Sequence, residues 1–206
     1  MAVRDSDRTR ETVLAAAENL FAHRGFEGTS LQEVGEAAGV SRATPAYFFG
    51  SKQELYEAVL ARAVARAEAA MLQAHTDLDS QAGPDKTVAT YVGAFLDFLA
   101  TDEAYLRLIQ REALGGASPV ATLFGHPVED TLAALAPAAD AAGISPQRLL
   151  LDIYALCWYP FAHEHTLLPA LGMSPRDKTF LAEHKQHLIE LISGLTRARG
   201  SDAVSG

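Results

Sequence analysis

Arg42, Ala43, Thr44, Tyr47 and Phe48 lie within one short stretch, at spacings that a brief helix would present together. Their types suit one kind of chemistry. A guanidinium can meet guanine or phosphate, a methyl-bearing hydroxyl can meet thymine or phosphate, and aromatic rings can lie against sugars and base edges.

The elements that must hold these residues are legible nearby. Ser30 and Glu33 form a Ser-x-x-Glu capping box, which predicts a helix from about Leu31. Leu31, Val34 and the Ala37/Ala38 pair share its apolar face, and Gly39 follows where a helix end takes positive φ. Val40 can plug the corner, and Ser41 is expected to cap the next helix. Ser51 and Glu54 repeat the box and open a long helix. Upstream, Val13, Leu14, Ala17, Leu20 and Phe21 form one stripe, closed by Gly25 with Phe26 folding back. Capped helix pairs with a glycine corner also occur in all-α proteins that never touch DNA, so the flanking helices carry part of the argument.

At this point the chain resembles the TetR family of bacterial one-component transcriptional regulators. The resemblance rests on Ala16–Phe26, Thr29-Ser30, Val34–Arg42 and Tyr47–Leu55, roughly the first quarter of the chain. It implies a helix-turn-helix reading operator DNA, with Thr29, Ser30, Ser41, Arg42, Ala43, Thr44, Tyr47, Phe48 and Lys52 on the DNA side. It further implies a repressor released by a small-molecule effector, and a homodimer formed through the last two long helices. Two recognition helices would then read a pseudo-palindrome. Pro45 departs from the family pattern, standing where a leucine or another large residue is usual. With Ser41 as cap, Pro45 would fall at the fourth helical position and forfeit the first intrahelical bond, so the helix is expected to start late or be distorted. The alternative is a helical ligand- or protein-binding module that no longer reads DNA.

The formal charge of −9 is unusual for a nucleic-acid binder. Residues 1–52 hold six Lys/Arg against seven Asp/Glu, and residues 53–206 hold eleven against nineteen, so the acidity belongs to the body. The head is then the tolerable DNA face, with Arg4, Arg8, Arg10, Arg24, Arg42 and Lys52 available to it. Cys157 is the single cysteine, there is no signal-peptide pattern, and no apolar run is long enough to cross a bilayer, so a cytoplasmic location is expected.

The fold expected is all-α with about nine helices: a DNA-binding domain over 1–52, a ligand-binding and dimerisation domain over 53–198, and a disordered tail over 199–206. The long fourth helix should run to about Asp77. In the fifth, Val88, Tyr91, Val92, Phe95, Leu96 and Leu99 alternate at three and four residues. Thr101 is expected to cap the sixth helix, which should end at Gly115-Gly116. Pro119, Pro127 and Pro137 predict a broken seventh helix over 117–143. Ser145-Pro146 and Ser174-Pro175 predict the starts of the last two long helices, the first of them interrupted at Pro160. The last carries Phe180, Leu181, His184, Leu188, Leu191, Ile192 and Leu195 on one wide stripe, more apolar surface than an intramolecular core would use.

For the effector pocket that the resemblance implies, Tyr91, Phe95, Arg107, Arg111, Phe124, Trp158, Tyr159 and Phe161 could supply apolar walls and polar anchors. Aromatic stripes of this kind are also what cores are made of, and Arg107 and Arg111 can pair with Glu103 or Glu112. No enzyme, cofactor or metal is expected. His163-Glu164-His165 lacks the His-Glu-x-x-His spacing, His184 and His187 share only a helix face, and Cys157 sits among apolar neighbours.

Overall fold

The computed structural model of the chain describes residues 2–79, 82–115, 120–123 and 125–202. All regular structure among them is helical: α1 (Ala2–Arg24), α2 (Leu31–Ala37), α3 (Thr44–Phe49), α4 (Lys52–Thr76), α5 (Pro84–Thr101), α6 (Glu103–Leu114), α7 (Val120–Leu123), α8 (Gly125–Ala142), α9 (Pro146–Ala162), α10 (Leu167–Ala170) and α11 (Lys178–Asp202). Two of these, α7 and α10, are single turns of four residues. The chain divides into two compact units, one of residues 1–66 with 103–123 and one of residues 67–102 with 124–206.

The first unit is built around the apolar stripe of α1, where Val13, Ala17 and Phe21 are fully buried with Val34 of α2 and with Leu55, Val59 and Leu60 of α4. Phe21, Phe26 and Tyr56 form an aromatic cluster with ring centres 4.9 to 6.2 Å apart. Tyr56 donates to Glu112 of α6 at 2.7 Å, and burial followed by that carboxylate raises its phenol pKa. Both predicted capping boxes form: Ser30 Oγ accepts the Glu33 N–H and Ser51 Oγ the Glu54 N–H, while each glutamate reaches back to its serine's backbone N–H. The two serine hydroxyls, donating to the same carboxylates at 2.8 and 2.7 Å, and after them the serine backbone N–H groups hold both carboxyls below their usual pKa. α1 ends at Gly25, which has φ 75°. Its orphan carbonyls at Ala22 and His23 accept from the Arg111 guanidinium of α6, a cation where the helix dipole favours one.

In the second unit α8 packs on α9, α5 and α11, and α5 packs on α9 and α11. The six apolar positions read from α5 are all buried. Gly93 is buried there because the Lys185 side chain of α11 crosses it; a Cβ would stand 2.5 Å from Lys185 Cε. Lys185 continues to Asp97 at 3.2 Å.

Several expectations fail at prolines and caps. The stretch expected to be a broken helix over 117–143 is divided into α7 and α8, but α8 continues through Pro137, which is exposed, as is Ala133 four residues earlier, so water can satisfy the carbonyl that the ring leaves unpaired. α9 likewise continues past the buried Pro160 to Ala162. There the carbonyl of Leu156, which would otherwise accept the residue-160 N–H, takes a hydrogen bond from His184 Nε2 at 3.2 Å. Thr101 closes α5 instead of capping α6, its hydroxyl donating back to Asp97 and Phe98. Ser145 caps α9 as predicted, accepting from Arg148. Ser174 does not cap α11: residues 174–177 form a turn, and the Asp177 carboxylate accepts the N–H groups of Thr179 and Phe180, so the helix begins three residues late at Lys178. α11 is helical as far as Asp202, inside the tail that the sequence reading left without structure, and residues 203–206 lie outside the described residues.

Candidate nucleic-acid interface and ligand cavity

The corner between α2 and α3 is set by two glycines. Gly39 takes φ 68°, and Gly35 lets the 41–42 backbone lie against α2, since a Cβ there would stand 2.9 Å from the Ser41 carbonyl oxygen. Ser41 is not the cap of α3. Its carbonyl accepts the Thr44 N–H in a turn, its hydroxyl meets Thr44 Oγ1 at 2.8 Å, and the cap position falls to Ala43. Pro45 is the reason. Its ring fits only in a first helical turn, where an N–H has no intrahelical partner anyway, so α3 starts at Thr44, late as expected and otherwise regular. Pro45 and Phe49 are buried, and Arg10 of α1 lies 4.6 Å from the Phe49 ring centre.

What α3 leaves outside is Ala43, Ala46 and Tyr47, with Phe48 half-buried. Tyr47 is 83% exposed, its only ring neighbour among the described residues being Phe48 edge-on at 5.2 Å. Arg42 is also exposed and pairs with Glu36 at 2.6 Å. Of the other residues expected on this face, Ser41 is exposed, Ser30 is held in its capping box, and Thr29 is buried with its hydroxyl on the Gly25 carbonyl at 3.0 Å. Lys52 is half-buried, donating to the Phe26 carbonyl at 2.9 Å with its ammonium 4.2 Å from the Phe26 ring centre. Arg24 pairs with Glu33. Thr29 and Lys52 therefore build the head, while Arg42, Ala43, Thr44, Tyr47 and Phe48 lie together around α3.

A narrow cavity of about 30 Å³ lies inside the second unit. Its walls come from Ala67, Glu68 and Met71 of α4, Tyr91 and Phe95 of α5, Val128, Thr131 and Leu135 of α8, and Leu150, Ile153 and Tyr154 of α9. Space of that size admits little more than a water molecule or two, so a larger guest must part the helices. Tyr154 lies 4.4 Å from Phe95 between ring centres, and burial, with Cys157 adding, pushes its phenol up to about 12. Tyr91 meets His75 Nδ1 at 3.2 Å, and burial followed by the field of Asp130 raises its phenol pKa. A wider groove shares Val128, Leu150 and Tyr154 with the cavity.

Of the eight candidate pocket residues, Tyr91 and Phe95 line this space. Arg107 pairs with Glu103 one turn away, and Arg111 belongs to the first unit, at the end of α1. Phe161 is buried with the Arg176 guanidinium over its ring, Trp158 is half-buried away from the lining, and Tyr159 is 49% exposed against His163. Phe124 lies outside the described residues. Sequence reasoning missed Glu68 and Tyr154. The signal for Tyr154 was present, since it falls one turn from Leu150 on an apolar helix; Glu68 carries none, being one of several charges along α4. Glu164, between the two histidines, is held by Arg176 through both oxygens. Cys157 is fully buried, and burial pushes its thiol up to about 12.

Comparison with known proteins matches these two regions separately. Residues 13–59 match the family described as bacterial regulatory proteins, tetR family, and residues 84–192 match the tetracyclin repressor-like C-terminal domain. The HTH-type transcriptional repressor NicS of Pseudomonas putida is 25% identical over 93% of this chain and 94% of its own. A TetR-like transcriptional regulator from Rhodococcus sp. RHA1 superposes with a TM-score of 0.66 at 21% identity, over 92% of this chain and 96% of its own. AibR, solved in complex with isovaleryl coenzyme A and operator DNA, superposes with a TM-score of 0.68 at 14% identity, over 89% and 97%. At those identities the two structures attest the fold alone.

Proposed function

The chain belongs to the tetR family of bacterial regulatory proteins, DNA-binding transcriptional regulators with a ligand-binding C-terminal domain, and on that premise we propose that it is a repressor released from a palindromic operator by a small molecule. The observation that carries the DNA-contact assignment is Tyr47. A large aromatic that leaves most of its surface in water gains little from burial in its own fold, and here it stands on a short helix beside Arg42 and Thr44. The alternative of a head that no longer reads DNA rested on Pro45 and on the acid balance; the first turn of α3 accommodates that ring, and the acidic excess belongs mainly to residues 53–206.

The proposed operator side is Arg42, Ala43, Thr44, Tyr47 and Phe48, with Ser30 and Ser41 at its edge and the Lys52 ammonium able to share a hydrogen on phosphate. The proposed oligomer is a homodimer through α9 and α11. Leu151 and Tyr159 on α9 and Leu191 on α11 are 59%, 49% and 44% exposed, apolar surface of the kind a partner covers. Two recognition helices would then address half-sites about 34–36 Å apart. Effector in the second unit's cavity must lower operator affinity by the same factor by which operator lowers effector affinity.

Footprinting on DNA flanking the gene tests this reading. The wild type is expected to protect a short imperfect palindrome, and Tyr47→Ala to weaken that protection by roughly tenfold or more while leaving helix content and thermal stability unchanged. Equal protection by the variant would remove α3 from the interface.

A further inference from the structure

Charge and shape in the cavity narrow what it can hold. Its walls are apolar except for the Glu68 carboxylate and a few hydroxyls, and no lysine or arginine lines it among the described residues. Glu68 is half-buried, and its side chain makes no ion pair or hydrogen bond among the described residues. Tyr91, Phe95 and Tyr154 turn ring surfaces into the same space. The Tyr91 hydroxyl meets His75 Nδ1 at 3.2 Å. Asp130 adds negative potential at Tyr91.

An anionic guest would meet a carboxylate in a confined space with no counter-charge, and a neutral hydrocarbon would leave that carboxylate desolvated and unpaired. A protonated amine answers both conditions, pairing with Glu68 while its flanks lie on aromatic faces that attract cations. We infer that this cavity takes an apolar molecule bearing a cationic amine, with Glu68 as the anchor and Tyr91, Phe95 and Tyr154 as the surrounding rings. The inference rests on the reading that the second unit's cavity is the effector site. It excludes carboxylates and acyl-coenzyme A esters, whose phosphates would find no cation along this lining.

Three probes with one hydrocarbon chain and different heads test it: octylammonium, octanol and octanoate, each kept below aggregation and titrated calorimetrically into the full-length protein. Octylammonium should bind roughly tenfold or more tighter than the other two, and Glu68→Gln should abolish that preference without weakening octanol binding by more than about twofold. Equal or tighter binding of octanol or octanoate, failure of all three to bind, or a preference that survives in Glu68→Gln would overturn the inference. Operator affinity measured with the same probes separates the two readings. A cation-selective cavity whose occupation leaves operator binding unchanged would uphold the ligand class and defeat effector release. Release by octanoate or octanol alone would do the reverse.

Discussion

His184 illustrates how one side chain ties a helix flaw to solution conditions. Pro160 removes the N–H that the Leu156 carbonyl would accept, and His184 Nε2 donates in its place, since a carbonyl can only accept. Burial lowers the imidazole pKa from 6.5, with nearby His187 adding in the same direction and the Leu156 bond opposing both. The unfolded chain therefore binds the proton more readily than the folded one. Stability from this group is complete above about pH 6.5 and declines as pH falls through the lowered folded value. His184→Gln keeps an N–H donor and removes the titration. Its melting temperature is expected to fall less steeply than that of the wild type between pH 7.5 and 5.5. Parallel curves would show that the imidazole does not titrate differently on folding.

At the scale of elements, what the sequence made legible was whatever is decided within a few residues. Ser30 with Glu33 and Ser51 with Glu54 closed their boxes, and the three-four alternation of α5 buried the six residues it named. Long-range partners decided the rest. Pro137 and Pro160 read as breaks because sequence reveals the lost N–H but not the solvent exposure at the first or the histidine that meets the stranded carbonyl at the second. Arg111 read as a polar anchor of the pocket or a partner of Glu103 or Glu112, because nothing in residues 103–114 announces that the end of α1 lies across from them. Gly35 shows the same competition in energetic terms. Alanine is favoured over glycine inside a helix by about 1 kcal/mol, yet a Cβ here would press to 2.9 Å on the Ser41 carbonyl oxygen. Overpacking of that kind costs about 1–3 kcal/mol, which outweighs the gain. Gly35→Ala is expected to lower the melting temperature by roughly 2–4 °C and to weaken operator binding as the corner opens. A rise in melting temperature would mean that the corner gives way freely.

For the molecule as a whole, charge and oligomeric state act together. Of the cations available to the head, Arg10, Arg24, Arg42 and Lys52 already engage Phe49, Glu33, Glu36 and the Phe26 carbonyl. A head so occupied should hold random DNA weakly, and its affinity for a palindrome should depend on engaging both half-sites from one dimer. Leu191→Glu is expected to shift the protein to monomer in sedimentation at micromolar concentration and to reduce operator affinity by roughly tenfold or more, with far less effect on random DNA. A dimer that persists in both Leu191→Glu and Leu151→Glu would place the interface elsewhere. The sole thiol bears on how such states can be followed. Because Cys157 is sealed in the second unit and held far above neutral pKa, alkylating dyes and spin labels would pass it by. A cysteine introduced at exposed Glu27 would take the label alone, making the natural chain a silent background for spectroscopic rulers between the heads of the proposed dimer.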